Sequence, residues 1–173
     1  MSGVRAKGKT RPTRTFWWDR ETRTETAELR AVIFDADSVL ASIDGDDKAR
    51  TDLIDAVMSL FVAGIWVSVV SARPRAEVAT LVRNLLGDGL VETIVSIDDL
   101  SGADAGPAGG GELYRLALWE MGITSRAALA VTGPGAGLRA STAAGLPAVV
   151  IDEPLSAASC QQAHRRWQIR RAA

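Results

Sequence analysis

Two residues on which much enzyme chemistry depends are almost missing from this chain: of 173 residues, one is cysteine and one is histidine. With Cys160 alone, no intrachain disulfide can form, and nothing points to an oxidising compartment. A thiol nucleophile needs a paired base, and the sole candidate, His164, lies four residues away in a polar segment, which argues against that chemistry. Long apolar runs are missing too. The longest, VMSLFVAGIWVSVV, is 14 residues, contains Ser59 and Gly64, and is too short to cross a bilayer. The basic N-terminus is not followed by an apolar segment, so no secretory signal is expected and the chain reads as cytoplasmic, with no membrane association. Net charge is close to absent, at −1, but it is unevenly spread. Residues 1–18 hold five Lys/Arg and residues 164–173 hold four Arg, which leaves 11 basic against 21 acidic residues between them. An acidic body with two basic ends fits either solvated tails or contact with nucleic acid through those ends.

What is present is a regular alternation. RAVIFDA, WVSVVSA, VETIVSI, AALAVTG and LPAVVID read as short buried strands. Between them, residues 46–65, 75–87, 112–122 and 137–145 read as helices, with Gly64 and Gly87 as stops. In the first helix Leu53, Ile54, Val57, Met58, Leu60 and Phe61 recur at helical spacing. Trp66 and Trp119, at apolar positions, are expected in the core. SGADAGPAGGG reads as a linker, and DGDDK as a charge cluster at a helix N-terminus rather than a calcium loop. Trp17 and Trp18 are expected to anchor the N-terminal segment. Strand and helix alternating in this way predict an α/β fold, a doubly wound parallel sheet with helices on both faces. Ligands then bind beyond the carboxyl ends of the strands, where Asp35, Asp37, Ser71 and the loop from Thr132 to Gly137 gather.

An aspartate ending a buried strand can act as a nucleophile toward a phosphoryl group, and a second, two residues on, can protonate the leaving group and activate water. VIFDADSVL resembles motif one of the haloacid dehalogenase-like (HAD) hydrolases, an apolar strand followed by Asp-x-Asp-x-(Thr/Val)-Leu. VSVVSARP resembles their second motif. Residues 112–151 resemble the C-terminal third of the β-phosphoglucomutase-like branch. The resemblance spans about residues 30–151, in a domain expected at 29–155 between basic ends at 1–28 and 156–173.

The resemblance implies Asp35 as nucleophile and Mg²⁺ ligand, Asp37 as general acid/base with its backbone carbonyl on the metal, and Ser71 as phosphoryl-binding residue. Two motifs depart from the pattern. No Lys or Arg stands between Arg83 and Arg115, where the family places a lysine before its third helix. Thr132 and Gly133 stand where the fourth motif has its acid. Each such electrostatic group is worth about 2.7–4 kcal/mol of barrier, or about 10²–10³-fold in rate. Arg73 and Arg75 are candidates to meet a phosphate, and Asp98, Asp99 or Asp104 to replace the acid. The loop TGPGAG could offer Gly133 and Gly135 backbone N–H groups to an anion, or be a plain turn. Only 33 residues separate Asp37 from Ser71, and 60 separate Ser71 from Thr132, so no cap domain is expected. The site would then be open to a macromolecule, or covered by a protein partner or a second copy. These expectations describe a weak or vestigial Mg²⁺-dependent phosphomonoester hydrolase. The alternative is an inactive relative that binds a phosphorylated ligand or a protein.

Overall fold

The computed structural model describes residues 29–100 and 111–151. The expectations for the two basic ends, Trp17, Trp18, Asp104, Cys160 and His164 lie outside these residues.

Five parallel strands form one sheet: β1 (Ala31–Asp35), β2 (Trp66–Val70), β3 (Thr93–Val95), β4 (Ala128–Thr132) and β5 (Ala148–Val150), in the order β3-β2-β1-β4-β5. A five-residue π-helical turn (Ala36–Leu40) and the short α1 (Ala41–Ile43) follow β1, a feature absent from the sequence-based expectation. Then come α2 (Asp47–Val62), α3 (Arg75–Leu86), α4 (Glu112–Met121) and α5 (Ala136–Ala143), each close to its expected span. The charge cluster before α2 does cap it, with the Asp46 carboxylate accepting from Ala49 N at 3.0 Å.

Side-chain alternation along the strands divides the core in two. Val32, Phe34, Val67, Val69, Leu129 and Val131 pack against α2 and α3, which bring Leu53, Val57, Leu60, Val78, Val82 and Leu85. The opposite face carries Ala31, Ile33, Ala128, Ala130 and Ala148 beneath Tyr114, Ala117, Leu118 and Met121 of α4. Alanines on that face let α4 and α5 approach the sheet closely. Asp35 continues the register of Ala31 and Ile33, so its carboxylate turns under α4 and α5. That explains how a carboxylate comes to be only 7% exposed.

Two core expectations fail. Trp119 is 78% exposed, because the buried positions of α4 are 114, 117, 118 and 121, and 119 falls on the opposite side of the helix. Trp66 is 38% exposed as the first residue of β2, where the strand has just entered the sheet. Met58 and Phe61 likewise point outward from α2, whose core stripe is Leu53, Val57 and Leu60. Among the described residues, no helix is long and apolar enough to cross a membrane, and no cap domain interrupts the sheet connections.

Candidate active site

The strand order reverses at β1: the chain goes from β1 to β2 and β3, then returns to the other side as β4 and β5. The connections after β1 and β4 therefore diverge and leave a crevice at their carboxyl ends, where open α/β sheets bind ligands. Asp35 ends β1 and Thr132 ends β4, side by side in this crevice.

Asp35 is held by three neutral donors. Its Oδ1 accepts from Asp37 N at 3.1 Å, and its Oδ2 accepts from Ser38 Oγ at 2.7 Å and Thr132 Oγ1 at 3.1 Å. The Thr132 hydroxyl also lies 3.0 Å from Gly133 O, but it has one proton, and the charged carboxylate is the stronger acceptor. Ser38 Oγ in turn accepts from Gly133 N at 2.8 Å, which ties the end of β1 to the loop after β4. Both lone pairs of Oδ2 are thus occupied, while Oδ1 keeps one free.

Asp37 faces β2. Its Oδ1 accepts from Ser71 Oγ at 2.5 Å, and its Oδ2 accepts from Ala72 N at 2.8 Å. Ser71 Oγ also accepts from Arg73 N at 3.0 Å, so both its donor and an acceptor site are engaged within the loop. Arg73 Nε lies 3.7 Å from Asp37 Oδ1. The two carboxylates therefore belong to separate hydrogen-bond networks, one closed by Ser38 and Thr132 and one by Ser71.

Two clefts share Asp37 and Ser71 as part of their walls. One, of about 460 Å³, is lined by Asp35, Val70, Leu113, Tyr114, Pro134 and Gly137 among others. The second, of about 630 Å³, runs past Arg73, Thr80 and Asn84. Arg73 lines the second cleft and not the one lined by Asp35. Arg75 is bound elsewhere, donating to Asp99 Oδ2 at 2.5 Å and to Ile94 O at 2.9 Å. Asp98 accepts from Arg75 N at 2.8 Å, and Asp99 accepts from Ser96 N at 2.8 Å. Burial works to raise the Asp99 carboxyl, but the Ser96 and Arg75 hydrogen bonds prevail and hold it below its ordinary 3.8. Neither aspartate lines the Asp35 cleft.

In the glycine loop, one of the two N–H groups expected to meet an anion already has a partner. The Gly133 N–H is engaged by Ser38, and Gly135 opens α5 with a φ of 102°. Gly137, in the first turn of α5, is the residue pressed onto the site. A Cβ there would lie 2.1 Å from Asp35 Oδ2 and 2.3 Å from Thr132 Oγ1. α4 also begins on a tightly packed glycine, Gly111, where a Cβ would come within 2.9 Å of Ala140 O. No cationic side chain can issue from that position. Sequence reasoning placed the Thr132–Gly137 loop on the same sheet edge as Asp35, but not its contacts with that carboxylate, and it missed Ser38 altogether.

Among the described residues, no three His, Cys, Asp or Glu side chains converge to hold a metal ion, and no Lys or Arg pairs with Asp35. Asp35 Oδ1 keeps a lone pair that could meet a cation, but a Mg²⁺ there would rest on one carboxylate oxygen of the described residues.

A parallel sheet with an Asp-x-Asp segment at the tip of its central strand places the molecule among the Rossmann-like phosphotransferase and phosphatase folds. Comparison with solved structures specifies the fold further. A CbbY variant from Rhodobacter sphaeroides, in complex with xylulose-(1,5)bisphosphate, is 26% identical with a TM-score of 0.51, over 61% of this chain and 46% of that one. The chain thus spans less than half of that relative. CbbY from the same organism in complex with phosphate is 16% identical (TM-score 0.54, 75% of this chain and 88% of that one). A HAD-superfamily hydrolase, subfamily IA, from Geobacter sulfurreducens is 18% identical (TM-score 0.52, 74% and 92%). No family model and no curated protein sequence matches the chain. The fold is that of the HAD-like hydrolases.

Proposed function

We propose that this HAD-fold protein binds rather than turns over: Asp35 and Asp37 persist at the catalytic positions of the superfamily, but as hydrogen-bonded structural groups beside an open cleft. The observation that carries this reading is the saturation of Asp35 Oδ2 by Ser38 and Thr132, with no third carboxylate and no cation among the described residues at Asp35. A phosphate approaching Asp35 would meet negative charge with nothing to offset it. A phosphorylated ligand would be met instead by Arg73, in the neighbouring cleft. A protein partner or second copy covering the Asp35 cleft fits the lack of a cap in the described residues.

A second reading, a slow phosphomonoester hydrolase working through an Asp35 aspartyl-phosphate, is favoured by one observation. Asp35 lines the cleft, and its Oδ1 accepts a single hydrogen bond, so it retains a nucleophilic lone pair. Hydrolysis of para-nitrophenyl phosphate with and without millimolar Mg²⁺, by the wild-type chain and Asp35→Asn, separates the two. The expected result is equal background release in both proteins. Mg²⁺-stimulated release that disappears in Asp35→Asn would establish the hydrolase and end the binding-only reading.

A further inference from the structure

We infer that Ser38 is the residue that keeps an acid, and with it a metal ion, out of this site. The inference rests on the reading that no divalent cation is held at Asp35. The fourth HAD motif would put a carboxylate at position 133, at the end of β4. Here a Cβ built on Gly133 would lie 2.8 Å from Ser38 Cβ and 3.1 Å from Ser38 Oγ. Both distances are shorter than side chains tolerate without displacement, and Ser38 cannot easily move. Its hydroxyl donates to Asp35 Oδ2 at 2.7 Å and accepts from Gly133 N at 2.8 Å, in a part-buried network that holds it on both sides. The next nearest atom to the added Cβ, Ile151 O at 3.8 Å, is an ordinary contact. Ser38 is therefore the whole obstacle. Its hydroxyl also does for Asp35 what a cation would do, placing a positive end of a dipole against Oδ2. The serine at 38 and the glycine at 133 form one unit, and neither a side chain at 133 nor a metal ligand there is compatible with the serine.

The test is a coupling measurement on the full chain. Gly133→Ala is expected to lower Tm by on the order of 5 °C in the wild-type background. It should cost far less in a Ser38→Gly background. In a Ser38→Ala background, which keeps the offending Cβ, it should cost nearly as much as in the wild type. Equal losses in all three backgrounds would overturn the inference. Calorimetric titration with Mg²⁺ then compares wild type, Gly133→Asp and the Ser38→Gly/Gly133→Asp pair, with the pair expected to bind at least about 10-fold more tightly than either. Binding by Gly133→Asp alone as tight as by the pair, or no gain in the pair, would also overturn it. Sub-millimolar binding by the wild type would instead defeat the metal-free reading, while leaving the steric coupling between 38 and 133 to stand or fall on the thermal data.

Discussion

Tyr114 shows how a single residue registers the altered site. Its ring is buried beneath α4, and its hydroxyl, though it lies toward Thr132 and Asp35, makes no well-formed hydrogen bond among the described residues, Thr132 spending its proton on Asp35. Burial is the main reason its pKa is raised well above the ordinary 10.0, with the Asp35 charge adding to it, the Thr132 hydroxyl opposing, and Asp37 contributing last. A buried hydroxyl without a partner costs about 1–3 kcal/mol, because water is given up and nothing is gained. Tyr114→Phe is therefore expected to stabilise the protein at neutral pH by about 1 kcal/mol, measured by urea unfolding. The pH dependence has a definite sign. A raised folded-state pKa gives a contribution that is complete below pH 10 and is lost above it, because only the unfolded chain then releases the phenolic proton. Wild-type stability should decline above pH 10 more steeply than that of Tyr114→Phe, and parallel curves would refute the assignment.

Among the elements, α5 bears most directly on the site. It is a short helix, and its first turn rests on the Asp35 carboxylate through Gly137. Gly137→Ala would push a methyl group into Asp35 Oδ2 and Thr132 Oγ1, both fixed by buried hydrogen bonds, so α5 must lift away. The expected cost is about 1–3 kcal/mol in chemical denaturation, despite the better helix propensity of alanine. A neutral or stabilising effect would mean that α5 does not seat as described. This contact also marks the limit of what the sequence discloses. Strands β1 to β5 and helices α2 to α5 were legible because apolar runs and helical spacing are local signals, and the Asp-x-Asp pair was legible because its spacing along one strand is local. The contacts of Asp35 were not: the Thr132–Gly137 loop was legible only as a neighbour on the same sheet edge, and Ser38 hides in an unexpected π-helical turn. The outward turn of Trp119 and Phe61 was hidden for a related reason. A helix of mixed apolar pattern does not reveal which of its stripes meets the sheet until the neighbouring helices are in place.

At the scale of the whole molecule, the two faces of the sheet are packed on different principles, and the site depends on the difference. The face toward α2 and α3 is built from Val, Leu and Phe, whereas the face toward α4 and α5 is built largely from alanine. The small side chains bring α4 and α5 close enough for Tyr114 and Gly137 to roof Asp35, which sits in line with Ala31 and Ile33 on that same face. Ala130 is at the centre of this arrangement, paired in register with Ile33 on β1 and Ala148 on β5 and fully buried. Valine is the better strand former, so local propensity alone would predict that Ala130→Val stabilises β4. Packing predicts the opposite: two added methyl groups have no room beneath α4 and α5, and a loss of about 1–3 kcal/mol is expected. On the other face, Leu129→Ala should cost about 2–5 kcal/mol by opening a cavity among branched side chains. Both variants should lower the urea midpoint with an unchanged m-value, since each alters packing and not the surface exposed on unfolding. If Ala130→Val were instead stabilising, the alanine face would have slack, and the close seating of α5 on Asp35 would need another cause.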